Sequence, residues 1–196
     1  MQAPVAEQRT LLEMQGHDSA IDRLVHRRGS LPEDARLAEL GQALAAVDQL
    51  VAEREGSLAT VRREQARFED EIEMVTRKAR SEEARAVSGK VTSPKELTAI
   101  QEEVAALKRR QDVLEDELLE RMEQRETLEA ELGELAGRRE GIVAEQAEVT
   151  KARDAALVEI DRELEVERAA RDGTAPRVGE QLRALYDQVR SRLGGV

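Results

Sequence analysis

From Leu37 onward, apolar residues recur at alternating steps of three and four, and no other feature constrains the chain as much. The steps land on Leu37, Leu40, Leu44, Val47, Val51, Leu58, Val61, Phe68, Ile72, Val75 and Ala79, interrupted by Arg54 and Gln65. A repeat of seven held this long predicts a left-handed supercoil with one partner helix, not a helix docked on a globule. A second run supplies the partner: Leu97, Ile100, Val104, Leu107, Leu114, Leu118, Leu128, Leu132, Leu135, Ile142, Val149, Ala156 and Ile160. Gln111, Arg121, Arg125, Arg139, Gln146 and Arg153 share that seam. Long arginine stems can cover apolar surface while the charged head stays wet.

Composition supports two thin helices over a thick core. Hydrophobic residues make up 40% of the chain and charged residues 37%, but Phe68 and Tyr186 are its only aromatic side chains. A compact globular core relies on several large rings. High charge alone would suit a disordered chain, and the regular apolar spacing argues against it.

Between the two runs lies Val87–Glu96, "VSGKVTSPKE". Gly89 can take the left-handed conformation that ends a helix. Ser93, Pro94 and Glu96 read as a capping box with proline at the first helical position. A stop and a start this close fold one run back on the other, with the apex at 88–94. An apex near residue 91 places Phe68 near residue 114 and Leu44 near residue 138. Ser30-Leu31-Pro32-Glu33 is a second start signal, so the arms are expected at 34–87 and 95–170, roughly 80 and 115 Å long.

The excess of the longer arm needs cover. Two amphipathic segments offer it, 8–28 with Leu11, Leu12, Met14, Ile21, Leu24 and Val25, and 176–193 with Val178, Leu182, Leu185, Tyr186 and Val189. The predicted fold class is all-α: a long antiparallel coiled-coil hairpin with two short helices packed at its base and Tyr186 in the core there. The corresponding divisions are 1–32, 33–172 and 173–196. Gly133, Gly137 and Gly141 lie off the seam, marking a bend, a close helix contact or, in the preferred reading, neutral substitution.

Nothing in the sequence assembles an active site. There is no cysteine, and His17 and His26 stand nine apart with no cysteine partners, so no metal site is expected. Carboxylates such as Glu117 sit at salt-bridging distance from arginines such as Arg121 on solvated faces, with no pocket to tune them for proton transfer. Ser88-Gly89-Lys90 resembles the end of a phosphate-binding loop but lacks its strand and upstream glycine. No apolar run approaches the ~20 residues that span a bilayer, and the N-terminus lacks a signal-peptide core. A cytoplasmic, non-enzymatic protein is expected.

Charge is more informative. Between Arg77 and Arg110 stand nine basic and five acidic residues, +4 on a chain of −11. Such a patch can steer the tip toward an acidic surface or nucleic acid. Arg85, Lys90, Lys95, Lys108, Arg109 and Arg110 are therefore the candidate partner-binding residues, and Gly89, Ser93, Pro94 and Glu96 the turn residues. No aromatic side chain lies near the tip to stack on bases.

The stretch "SGKVTSPKELTAIQEEVAALKRRQ" resembles the signature of bacterial C4-type zinc-ribbon domain proteins, most specifically at Ser88–Glu103. "LLEMQGHDSAIDRLVHRR" followed by "LPE", and "LYDQVRSRLGGV", resemble that family's opening and its exit from the coiled coil. The resemblance implies a coiled-coil hairpin that continues into a zinc ribbon with two CxxC pairs. This sequence stops at Val196 without a cysteine, so the family's metal ligands have no positions here, and zinc is expected only with a downstream ribbon. The resemblance further implies adaptor or nucleic-acid-binding roles, in some relatives as chaperone-like partners of an alternative sigma factor. The reading is a scaffold that binds a protein partner, as a monomeric hairpin or weak dimer. The alternative is a regulator that reaches RNA, DNA, a sigma factor or RNA polymerase with its basic tip. Lys90 and Lys95 differ from the acids that hairpins entering the polymerase channel carry.

Overall fold

The computed structural model describes residues 4–193. It has four helices, α1 (Val5–Arg28), α2 (Pro32–Val87), α3 (Pro94–Thr174) and α4 (Glu180–Leu193), with a 3-10 turn at Ala175–Arg177. No strand occurs among the described residues. The fold is an all-α coiled-coil hairpin. Its contacts form two compact units, one of Leu44–Gly141 and one of the chain up to Ala43 together with the chain from Ile142.

The Leu44–Gly141 unit is built as the repeats require. Val47, Leu58, Val61, Phe68 and Ala79 of α2 and Ile100 and Leu114 of α3 are buried. Each large aliphatic side chain so buried contributes about 1.5–3 kcal/mol. Ion pairs flank this seam, and their numbering shows the direction of pairing: Lys78 with Glu103 at 2.7 Å, Arg62 with Glu129 at 2.8 Å and Asp48 with Arg139 at 2.8 Å. As the number falls on α2 it rises on α3, so the arms are antiparallel. Two polar interruptions of the seam find partners across it. Arg125 donates to the Gln65 side-chain oxygen at 3.2 Å, and Arg54 pairs with Glu131 at 2.6 Å. A Cβ added at Gly133, Gly137 or Gly141 would meet nothing within 4 Å, so these glycines mark no close helix contact.

At the turn, Gly89 has φ 72°, and α3 opens on Pro94. The expected capping box does not form. The Ser93 carbonyl accepts from the Leu97 N–H at 3.0 Å, while its hydroxyl has no partner. Glu96, which would complete the box, instead accepts from Arg85 at 2.7 Å. A charged donor outcompetes a backbone amide for an exposed carboxylate.

The other unit adds α1 and α4 to the ends of the two arms. Leu31, Ile160 and Leu164 form its buried cluster, with Ile21, Leu24, Ala156 and Leu157 packed against it. Met14 is fully buried, and Ala175 and Val178 at the 3-10 turn are buried as well. Leu12, Val25, Leu185 and Val189, counted as covering residues from their spacing, are exposed, at 66%, 49%, 50% and 47%. The buried stripe of each short helix is narrower than its apolar pattern. α3 continues through Gly173 to Thr174, and α4 begins at Glu180, later than the expected 176. Between them, Pro176 lies in the 3-10 turn and Val178 is extended.

Candidate functional site

The structure sorts the tip cations into two groups. Arg77 pairs with Glu73, Lys78 with Glu103, Arg85 with Glu96 and Glu82, Lys108 with Glu83 and Arg110 with Glu71. Arg80, Lys90, Lys95 and Arg109 are exposed and have no side-chain partner among the described residues. Of the six candidates from sequence, Lys90, Lys95 and Arg109 are thus free, whereas Arg85, Lys108 and Arg110 are engaged across the hairpin. Arg80 joins the free set and was not singled out from sequence. The division follows the heptad: charges flanking the seam reach the opposite helix, and charges farther round the helix do not. Among the five acids of the stretch, only Glu102 lacks a partner. Val87 adds an apolar side chain 85% exposed beside the turn.

Farther along α3 the free charge changes sign. Asp112, Asp116, Glu123 and Glu126 are exposed without ion-pair partners, while Arg121 and Arg125 lie half-buried against the seam. An open hollow of about 510 Å³ lies beside them, lined by Val61, Glu120, Glu123, Gln124, Thr127 and Leu128. It holds no nucleophile beside a base. Its one hydroxyl, on Thr127, donates to the Glu123 carbonyl at 2.9 Å.

The base contains a cluster that sequence reasoning missed. Asp18 of α1 has a side chain only 3% exposed. It accepts hydrogen bonds from Arg171 Nε at 2.9 Å and Tyr186 Oη at 3.0 Å, and it pairs with Arg190. Arg190 also donates to Asp22 at 2.6 Å, and Arg171 lies 3.6 Å from Asp187. One carboxylate thus ties α1, α3 and α4 together. Burial alone would raise its pKa, but the hydrogen bonds from Arg171, Arg190 and Tyr186 together hold it below the ordinary 3.8. The Tyr186 hydroxyl is pushed up to about 12 by burial and by its bond to that carboxylate. Tyr186, expected in the base core, lies half-buried outside the Leu31–Ile160–Leu164 cluster and joins α4 to α1 through its hydroxyl. The sequence carried a signal: Asp18 interrupts the three-four spacing of Met14, Ile21 and Val25, and Tyr186 and Arg190 stand one helical turn apart.

His17 pairs through Nδ1 with Glu167 at 2.7 Å. Among the described residues, no group of three or more His, Asp or Glu side chains is placed to hold a metal ion. No helix among them is long and apolar enough to cross a membrane.

Comparison with known proteins places this geometry in a family. The chain is 33% identical over 195 residues to the Mycobacterium tuberculosis protein described as "Uncharacterized protein Rv2229c", covering 78% of that protein. A solved structure from Mycobacterium smegmatis is 35% identical with a TM-score of 0.83, over 98% of this chain and 79% of that one. CT398 from Chlamydia trachomatis shares the fold at a TM-score of 0.67 and 17% identity, over 95% of this chain and 77% of that one. The HP0958 protein from Helicobacter pylori shares it at 0.58 and 13%, over 97% of this chain and 78% of that one. The family model described as the CT398-like coiled coil hairpin domain matches residues 14–194, and the chain belongs to that family.

Proposed function

We propose that the chain is a non-enzymatic coiled-coil scaffold that engages a protein partner through the tip of its hairpin. The observation that carries this reading is the set of unpaired cations, Arg80, Lys90, Lys95 and Arg109, on a stretch where every acid but Glu102 is already engaged. A surface ion pair contributes at most about 1 kcal/mol, so Arg85, Lys108 and Arg110 can exchange their internal acids for a partner's at small cost. Val87 supplies apolar contact among these charges. The open hollows of the described surface suit contact with a partner better than enclosure of a substrate. In the complete architecture that the resemblance to zinc-ribbon proteins implies, the scaffold also presents a C-terminal zinc ribbon, whose cysteines lie outside this sequence. The expected compartment is the cytoplasm.

The same cations favour a second reading, binding of nucleic acid. The absence of an aromatic side chain at the tip weighs against base stacking, leaving phosphate contacts alone. A photo-crosslinking residue placed at Lys90, with a control at Glu123, tests both readings in the native cell. The scaffold reading predicts a discrete protein adduct from position 90. That protein, once purified, should bind the wild-type chain about tenfold or more tightly than a chain carrying Arg80→Glu and Lys90→Glu. Adducts to RNA or DNA, with purified duplexes bound in a steeply salt-dependent way, would establish the second reading instead. No adduct beyond that of the control position would refute both.

A further inference from the structure

The outward face of α3 next to the tip is complementary to itself when read backwards. Lys95, Glu102, Arg109 and Asp116 recur at every seventh residue, so they form one column along the helix. Leu97, Ile100, Val104, Leu107 and Leu114 mark the seam toward α2, which puts this column at the heptad position farthest from it. All four side chains are exposed, and none has a hydrogen-bond or ion-pair partner among the described residues. The charges that flank the seam behave differently: Glu96, Glu103, Lys108 and Arg110 are all engaged with α2.

Along the column the signs run plus, minus, plus, minus. We infer that this face docks against the same face of a second copy of the chain, antiparallel, about a two-fold axis passing between Ala105 and Ala106. In that register Lys95 opposes Asp116 of the other copy and Glu102 opposes its Arg109. Each pairing occurs twice, as isologous symmetry requires. Moving the axis to Glu102 or to Arg109 sets like charges opposite each other, and a parallel in-register arrangement does so throughout. The charge order therefore specifies both direction and register.

The residues between the charges permit the approach. Thr98, Ala99, Ala105 and Ala106 are exposed and small, so two helices can come within the 8–10 Å typical of packed pairs. The column from Lys95 to Asp116 extends about 32 Å at 1.5 Å per residue. Four exposed ion pairs over a narrow strip make a weak, salt-sensitive association. The inference does not rest on the scaffold reading. It sequesters Lys95 and Arg109 while leaving Arg80 and Lys90 available, so a second copy and another tip partner would compete for part of one surface.

Sedimentation equilibrium of the purified chain tests it, using two variants of opposite design. Lys95→Glu with Arg109→Glu makes the column wholly acidic, and Glu102→Lys with Asp116→Lys makes it wholly basic. At low salt and near-millimolar concentration the wild-type mass should climb toward the dimer, and high salt should return it to the monomer. Each variant alone, with helix content checked by circular dichroism, should associate about tenfold or more weakly. Their equimolar mixture should form a heterodimer at least as tightly as the wild type. Ala106→Cys should form disulfides between chains under mild oxidation, because it lies beside the axis. A wild-type chain that stays monomeric at low salt would overturn the inference. So would variants that self-associate like the wild type, or a mixture that stays monomeric.

Discussion

The two units of the hairpin use charge in opposite ways. In the base unit a carboxylate is buried and surrounded by donors from three helices. Every buried polar side chain among the described residues, Thr10, Asp18 and Thr174, belongs to that unit. In the Leu44–Gly141 unit the buried side chains are apolar, and charges either bridge the two arms at the surface or stay free. The contrast follows from the number of helices to be placed. Two helices sharing a long apolar seam need little beyond the seam and a few polar crossings, such as Arg125 with Gln65. α4 is short and two of its apolar residues face outward, so contact area alone fixes its position weakly. Directional bonds to one buried acid specify that position. The difference assigns the jobs: the base uses its charges to hold itself together, and the tip leaves charges available to something else.

The largest effect should come from the apical seam. Leu114 is fully buried. Leu114→Ala should destabilise the chain by about 3 kcal/mol, read from denaturant unfolding, through lost transfer energy and the cavity left behind. A loss below about 1 kcal/mol would mean that the seam opens readily to water at this level, and that the two units are less different than described.

Next comes the base carboxylate. Asp18→Ala leaves Arg171, Arg190 and Tyr186 facing one another without their acceptor. The arginine side chains are 28% and 23% exposed, which lets water relieve part of the loss. We expect about 2 kcal/mol, somewhat below the cost of breaking a fully buried pair. The pH dependence follows from the same site. Because the folded-state pKa of Asp18 is held below 3.8, its contribution is present above that value and is lost as pH falls below it. Tyr186, raised from 10.0 to about 12, favours folding below pH 10 and loses that contribution as pH climbs toward 12. Asp18→Asn should therefore flatten the acid limb of a thermal-melting profile. An unchanged acid limb would place the responsible carboxylate elsewhere.

Smaller effects belong to the turn. Gly89→Ala should cost about 1 kcal/mol, since φ is 72° there and a side chain disfavours that region. Ser93→Ala should change the melting midpoint hardly at all, because the hydroxyl makes no bond. A loss of about 1 kcal/mol at Ser93 would show that the cap forms in solution.

How much of this was legible follows from the kind of signal each feature leaves. The seam positions of α2 read from sequence are all buried or half-buried, because a heptad repeat has no other efficient use in a chain with two aromatic residues. Gly89 and Pro94 were readable for a similar reason, since each has few conformations to choose from. Ser93 and Glu96 matched a motif, but the motif could not see Arg85 arriving from the other arm to claim the glutamate. The same blindness hid Asp18, whose partners lie more than 150 residues away along the chain. For the tip, sequence supplied the cluster of cations. Which of them remain free depends on their angle around a helix relative to a partner, and so required the paired arms.

Hydrogen–deuterium exchange on wild type, Asp18→Asn and Arg80→Glu/Lys90→Glu tests this division of labour most directly. The account predicts that Asp18→Asn loses amide protection across α4 and the adjoining part of α1, with exchange around Leu58–Leu118 unchanged. It also predicts that the tip double variant leaves protection unchanged outside the residues flanking the turn. Equal protection of α4 in wild type and Asp18→Asn would contradict the assignment of the base to its buried charge. Loss of protection along the apical arms in the tip variant would show that those cations hold the fold and are not free for a partner.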